Sequence, residues 1–301
     1  MEKMTNLNFR VFLFVSLGCL VSVMCFKPVI LMHGVFPNPN ELPDIESKIL
    51  KAHPGTNVTK IEMFSEFLTS IAPLWLQVDL ITKQIRKVMK NSKDGVHLLC
   101  YSQGGITCRG ILETMPDHNV DTFISLSSPQ GGQYGVQPPA GNLDTDRLKY
   151  LFPNYLKENI YKFFYTEAGQ EVSIGNYWND PHHQDLYKKY SVFLAVLNNQ
   201  THNPQSHEYK KNFLRLKKMV LIGGPDDGVI TPWQSSQFGF YDQNESVLPY
   251  KKTEWYLKDS FGLQTLEKRD AIQTYSISGV KHVMWHKNQT VFNCCIEKWL
   301  T

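Results

Sequence analysis

Beyond its first two dozen residues the chain lacks any apolar run long enough to cross a bilayer, which takes about 20 residues, so no membrane span is expected in the mature protein. It also lacks an excess of one charge. Thirty-one Lys and Arg stand against 28 Asp and Glu, and the resulting +3 is spread too evenly for a nucleic-acid or membrane-surface partner. Low-complexity tracts and internal repeats are missing too, which excludes a solenoid or a disordered chain. Cysteine is scarce, with 6 in 301 residues, and Cys19 and Cys25 fall in the N-terminal stretch. What remains is an ordinary globular composition, 42% hydrophobic and 20% charged, in a chain long enough for a large core.

The N-terminus supplies the first positive signal. Lys3 and Arg10 lead into an apolar stretch, Val11 to Met24, interrupted by Ser16 and Ser22 and followed by the small Cys25. That order predicts a cleaved secretory signal peptide over residues 1–25, leaving 26–301 as one domain. Two further features fit a secretory route. Sequons for N-glycosylation occur at Asn57, Asn199, Asn244 and Asn288. Four cysteines survive cleavage, Cys100, Cys108, Cys294 and Cys295. Their pairing is not written in the sequence, but Cys100 with Cys108 is the favoured bridge because it would straddle one turn. The vicinal Cys294 and Cys295 suggest one buried free thiol.

Along the body, apolar strands alternate with amphipathic helices. Strands are predicted at Pro28–Gly34, Val58–Phe64, Gly95–Tyr101, Asp121–Ser128, Lys217–Gly224 and Ile272–Ser278. Helices are predicted at Pro43–Ala52, Pro73–Lys90, residues 104–115 and Val291–Leu300. Leu74, Val78, Ile81, Ile85 and Val88 recur every three or four residues, as one buried helix face requires. This rhythm gives an α/β protein with a mostly parallel sheet covered on both faces. It breaks over about 130–212, a segment rich in aromatic residues (among them Tyr150, Phe152, Tyr155, Tyr177, Trp178, Tyr187 and Phe193) that predicts a helical insertion with its own small core, part of which could line an apolar groove.

The chemistry points to LLCYSQGGITC, residues 98–108. Ser102 ends a strand, a helix begins behind it, and Gly104 supplies the second small position of a G-x-S-x-G turn whose first is Cys100. Serine alone is a poor nucleophile and needs a base and a group to orient that base. In this fold the chain order is serine, acid, histidine. PDDG after one strand offers Asp226 and Asp227, and Asp227 is preferred because Asp226 directly follows Pro225. SGVKHVMWH after the last strand offers His282 and His286, and His282 is preferred because it follows Gly279 by three residues. The backbone N–H groups of Gln103 and Val35 are the candidate oxyanion donors. His33 either packs or hydrogen-bonds within its loop. The polar loop NDPHHQD (Asn179–Asp185) has metal-ligand residue types, but a proline-containing loop accounts for them, and no metal or cofactor is expected.

The stretches HLLCYSQGG, SLSSPQGGQYG and GGPDDGVITPWQSSQFGFY, with the paired histidines after the last strand, resemble the palmitoyl-protein thioesterases, and the lysosomal second type most. The resemblance spans Lys27 to Leu300. It implies an α/β-hydrolase fold with a helical insertion, a Ser102–His282–Asp227 triad, and hydrolysis of long-chain fatty acyl thioesters in the lysosome. It also implies further cysteines where this chain has Phe164, Gly175 and Tyr275, and Gly135–Thr145 reads as an added loop. The alternatives are a secreted lipase or esterase acting on oxygen esters and a non-catalytic fatty-acyl carrier. Acyl chain length, the leaving group (coenzyme A or a protein cysteine) and oligomeric state are not written in the residues.

Overall fold

The computed structural model describes residues 26–38, 40–135 and 157–301. The expected leader 1–25, nearly all of Gly135–Thr145, and Tyr150, Phe152 and Tyr155 lie outside the described residues.

Short apolar runs become buried strands because both of their faces find a partner. The strands are β1 (Val29–Met32), β2 (Val58–Ile61), β3 (Val96–Tyr101), β4 (Val120–Leu126) and β5 (Lys218–Gly223). A separate antiparallel hairpin pairs β6 (Phe240–Tyr241) with β7 (Val247–Leu248), and β8 (Ile272–Ser276) returns to the main sheet. The six-stranded sheet is parallel throughout, in the order β2-β1-β3-β4-β5-β8. The chain runs outward from β1 to β2, then resumes on the other side of β1 with β3. Strand order therefore reverses at β1/β3, and a crevice opens at the carboxyl ends of those two strands, where ligands of open α/β sheets bind.

Alternate side chains feed two cores. Ile30, Met32, Leu98, Cys100, Phe123 and Leu221 meet helices α2 (Leu74–Lys90) and α3 (Gln103–Thr114) through Val78, Ile81, Ile85, Ile106 and Ile111. Leu31, Leu99, Tyr101, Ile124, Val220 and Ile222 meet Leu42, Ile45 and Ile49 of α1 (Glu41–Ala52), together with Trp285 and the C-terminal segment. Each such fully buried aliphatic side chain contributes roughly 1.5–3 kcal/mol.

Between β4 and β5 the described part of the insertion is a string of short helices, including Ser173–Tyr177, Gln184–Tyr190 and Ser206–Phe213. Its aromatic residues do not form a core of their own. Phe164, Tyr165, Tyr177, Trp178, Tyr187 and Phe193 are continuous with the α2/α3 core, since rings of this size need a pre-existing apolar wall to cover both faces. Where the resemblance implies a cysteine pair, the Phe164 ring lies so close to Gly175 that a Cβ there would sit 3.0 Å from it.

Two expectations are corrected at the C-terminus. Val291–Leu300 is not one regular helix but a run of different turns over Gln289–Val291, Phe292–Ile296 and Glu297–Trp299. Neither cysteine there is free, because Cys294 is bonded to Cys295. Neighbouring side chains on an α-helix point about 100° apart, so a bond between them does not suit a regular turn. Cys100 on β3 is bonded to Cys108 on α3, with a Cα–Cα distance of 6.7 Å, and the bridge closes over Ser102.

The Cys100–Cys108 bridge closes a short loop, so replacing both residues with alanine should lower unfolding free energy by about 2–3 kcal/mol. Urea unfolding of the purified variant against the parent measures it, and an unchanged midpoint would refute a structural role for the bond.

Candidate active site

β3 runs directly into α3, and Ser102 makes the turn at φ 52° and ψ −132°, outside the ordinary regions for a side-chain-bearing residue. Such backbone strain is tolerated when close packing fixes it, and it gathers at functional sites. The packing here leaves no room for a side chain at either of two glycines. A Cβ on Gly104 would lie 2.2 Å from the His33 carbonyl oxygen, and one on Gly34 would lie 2.8 Å from Ser102 Cβ. Only glycine at both positions lets the β1 exit loop rest against the serine turn.

The three residues selected from the sequence come together. His282 Nε2 is 2.9 Å from Ser102 Oγ, and His282 Nδ1 is 3.0 Å from Asp227 Oδ2 and 3.1 Å from Oδ1. Asp227 is almost solvent-free. Its Oδ1 accepts from the N–H groups of Val229 (3.0 Å) and Ile230 (2.8 Å). Its Oδ2 accepts from Ser127 Oγ (2.5 Å) and Trp285 Nε1 (2.6 Å). Burial by itself would raise the Asp227 pKa. The charge and hydrogen bond of His282, with those from Ser127 and the Ile230 N–H, outweigh it and hold the carboxyl below the ordinary carboxylate range. Asp226 turns outward instead and accepts from the Gly279 N–H at 2.7 Å. His286 pairs with Asp44 at 3.0 Å, away from Ser102.

The histidine is braced from a further side. The Tyr101 ring stacks on the His282 ring with centroids 5.2 Å apart, and its hydroxyl donates to the His282 carbonyl at 2.6 Å. Burial pushes the Tyr101 hydroxyl well up, so it remains a donor.

The two candidate oxyanion donors flank the same turn. Gln103 is the first residue of α3, and Val35 follows Gly34 in the loop against Ser102. Among the described residues neither N–H has a hydrogen-bond acceptor. His33 hydrogen-bonds within its loop through Nδ1, 2.7 Å from the Gly34 carbonyl oxygen, and reaches the segment after β2 through Nε2, 2.9 Å from the Met63 carbonyl oxygen. The Gly34 carbonyl and the Val35 N–H belong to one peptide and point opposite ways. Holding the carbonyl on His33 therefore turns the Val35 N–H away from that ring. Carbonyl oxygens only accept, so the ring donates to both only when doubly protonated.

A second carboxyl lies close by. Glu41, buried in the first turn of α1, accepts from the Asn38 N–H at 3.0 Å. Burial pushes its pKa up to about 7, against the opposing pull of the Asn38 and Gly34 N–H groups and of His282 and Lys287.

The NDPHHQD loop is occupied with protein partners. His183 pairs with Asp180 at 2.9 Å and His182 with Glu245 at 2.9 Å. Among the described residues no three His, Cys, Asp or Glu side chains converge as metal ligands would. Asn57, Asn199 and Asn244 are exposed, whereas Asn288 is half-buried and its side chain accepts from the Val291 N–H at 3.1 Å.

Sequence reasoning did not pick out Ser127, Trp285 or Tyr101. Ser127 carried a usable signal, since it directly follows β4 at the same carboxyl edge of the sheet as Ser102. Trp285 and Tyr101 carried none beyond their nearness in the chain to His282 and Ser102.

A parallel sheet that reverses at β1/β3, with a strained serine turn after β3 and a histidine and carboxylate from the exits of later strands, defines an α/β hydrolase. The profile of the palmitoyl protein thioesterase family matches residues 28–282, and the chain belongs to that family. Proteins named lysosomal thioesterase PPT2 from Rattus norvegicus and Homo sapiens are each 50% identical to it over 276 residues, covering 92% of this chain and 88% of theirs. A homolog from Drosophila melanogaster is 39% identical over 92% of this chain and 93% of its own. The mature lipase BlEst2 of Bacillus licheniformis overlaps 92% of this chain and 94% of its own with a TM-score of 0.48 at 15% identity, too loose a likeness to carry weight.

Glu41 yields a pH test. Folding raises its pKa from 4.5 to about 7, so the folded chain keeps a proton that the unfolded chain releases, and this contribution to stability is lost as pH climbs between those values. His97 and His118, pushed down to about 4 by burial, oppose it in the whole protein. Isolating the effect requires Glu41→Gln compared with the parent. The stability difference should move in the variant's favour from pH 5 to pH 7.5, by roughly 2 kcal/mol. Denaturant unfolding at several pH values reads it, and a difference that stays constant would rule the ionisation out.

Proposed function

We propose that this protein is a serine thioesterase that hydrolyses thioesters of long-chain fatty acids through an acyl-enzyme on Ser102. The observation that carries the reading is the continuous chain from Ser102 Oγ through both nitrogens of His282 to a buried Asp227. Membership of the thioesterase family supplies the bond type, because triad geometry alone serves esters and thioesters equally.

The steps follow from the contacts. His282 Nε2 takes the Ser102 proton as Oγ attacks the thioester carbonyl carbon. The carbonyl oxygen becomes an oxyanion facing the Gln103 and Val35 N–H groups, donors already in place before charge develops. Asp227 keeps the His282 Nδ1 proton in position and stabilises the imidazolium. Collapse breaks the carbon–sulfur bond, and the thiolate leaves with the proton that His282 returns. A thiolate is a better leaving group than an alkoxide, so this second transfer is less demanding than in ester cleavage. Water then attacks the acyl-enzyme with His282 again as base, releasing the fatty acid and restoring Ser102. No step calls for a metal or cofactor. Each methylene of the acyl chain that leaves water contributes roughly 0.8 kcal/mol.

The relatives at 50% identity carry lysosomal names. We infer the same destination for this chain, reached through the secretory pathway by way of residues 1–25 and the exposed sequons. No helix among the described residues is long and apolar enough to cross a membrane.

The test is thiol release from palmitoyl-CoA across about pH 4 to 8, the span of histidine titration. The parent should turn over and Ser102→Ala should lose at least about 10³-fold. Cleavage of oxygen esters alone would move the protein to the lipase reading, and palmitate binding without any cleavage would make it a carrier.

A further inference from the structure

Ser70 lies in a single turn of tight helix, Thr69–Ile71, between β2 and α2. It is 1% exposed, and more hydrogen bonds converge on it than its own folding needs. Its hydroxyl donates to the Phe67 carbonyl at 2.8 Å and accepts from the Phe36 N–H at 3.0 Å. Its carbonyl oxygen accepts from the side-chain amides of Gln103 at 2.8 Å and Gln77 at 3.1 Å.

The two outermost partners are what make this arrangement informative. Phe36 is the residue after Val35, and Gln103 is the residue after Ser102, so Ser70 touches the immediate surroundings of both proposed oxyanion donors. Phe36 sits at φ 50°, a left-handed conformation that a bulky side chain adopts only when held there. It is held at two points. The N–H is on Ser70, and its ring stacks on Phe67 at 4.3 Å, the same residue whose carbonyl receives the Ser70 hydroxyl. Val35 is thereby bracketed, with His33 fixing the peptide before it and Ser70 the peptide after it.

Gln103 carries the connection outward. While its amide nitrogen donates to Ser70, its Oε1 accepts from Ser173 Oγ at 2.8 Å and from the Tyr177 hydroxyl at 3.2 Å. Both donors come from the short insertion helix Ser173–Tyr177, and all three side chains are buried. A buried and fully connected polar network of this kind fixes relative positions, since breaking one link leaves a desolvated group without a partner.

We propose that Ser70 is a positioning residue that sets the spacing of the oxyanion hole, and that through Gln103 it registers the insertion helix Ser173–Tyr177 against that hole. This rests on the serine-hydrolase reading above, with Val35 and Gln103 as oxyanion donors. Ser70 touches neither Ser102 nor His282 and takes no part in proton transfer. Its effect falls on the geometry of the two N–H groups, so it belongs to the transition state and not to acyl-chain binding.

Two variants probe it from opposite ends. Ser70→Ala removes the acceptor for the Phe36 N–H, and Gln103→Met removes the amide link while leaving the Gln103 backbone N–H. Turnover of palmitoyl-CoA would be followed alongside binding of palmitate and of a long-chain trifluoromethyl ketone, which forms a tetrahedral adduct on serine. Full loss of one oxyanion donor costs about 10²–10³ in kcat, so misplacement should cost about tenfold. The expected result is that kcat and trifluoromethyl ketone affinity fall by a similar factor in both variants, with KM and palmitate affinity unchanged. The double variant should lose little more than either single one. A lowered melting temperature with unchanged kcat and ketone affinity would overturn the proposal, as would a loss confined to KM and palmitate binding. If Ser70→Ala does not fold, the Gln103→Met result decides in the same terms. A parent inactive on palmitoyl-CoA but active on 4-nitrophenyl esters would sink the thioesterase reading alone, because the same comparison can be run on those esters.

Discussion

A single carboxylate, taken out of solvent, ties the exits of three strands into one site. Asp227 comes from the exit of β5. It is met by Ser127 from the exit of β4, by His282 and Trp285 from the exit of β8, and by two N–H groups of its own loop. An unpaired buried carboxylate costs several kcal/mol. The donors offset that cost only if all of these loops stand where they do. The charge that orients the His282 imidazole thus also ties together the carboxyl edge of the sheet, and the His282 backbone N–H closes the circle by donating to the Asp227 carbonyl at 2.8 Å.

How much of this could be read from the amino-acid order depends on the range over which each feature is determined. The six main strands and the first three helices were legible, because apolar periodicity is local and the sheet buries what the pattern marks as buried. Ser102 was legible for the same reason, since the strand, the turn glycines and the helix behind it are contiguous. Asp227 and His282 needed the fold class first, and then a choice between near neighbours. The features that escaped are made of pairs distant in sequence. Ser127 meets Asp227 across 100 residues, and Ser70 meets Gln103 across 33. A place at a strand exit, as Ser127 has, marks a serine as near the site but does not name its partner. The C-terminal turns escaped for a different reason, as a bond between adjacent cysteines overrides helical periodicity.

Buried ionisable groups are distributed through this protein in opposing directions. Glu41 and Glu113 are both pushed up to about 7 by burial, the latter despite its 2.7 Å contact with Arg109. Arg109, itself fully buried, lies over the Phe261 ring at 4.0 Å and donates to the Gln130 carbonyl, joining α3 to the loop after β4. His97 and His118 are pushed down to about 4. Carboxyls that retain protons and imidazoles that shed them have opposite pH slopes over the mildly acidic range. In the folded protein both kinds of group are neutral between those values, so these four buried side chains add no charge to the core over the mildly acidic range.

The contact between Gly104 and the His33 carbonyl has a further meaning. Main chain against main chain has no side chain to swing aside, so the Ser102 turn and the loop after β1 are held tightly against each other. If Val35 and Gln103 are the oxyanion donors proposed above, this contact sets their spacing before any substrate arrives. On that reading, whatever adaptation a long, flexible acyl chain demands is absorbed outside this turn, and selectivity among substrates is set apart from the rate of the chemical step.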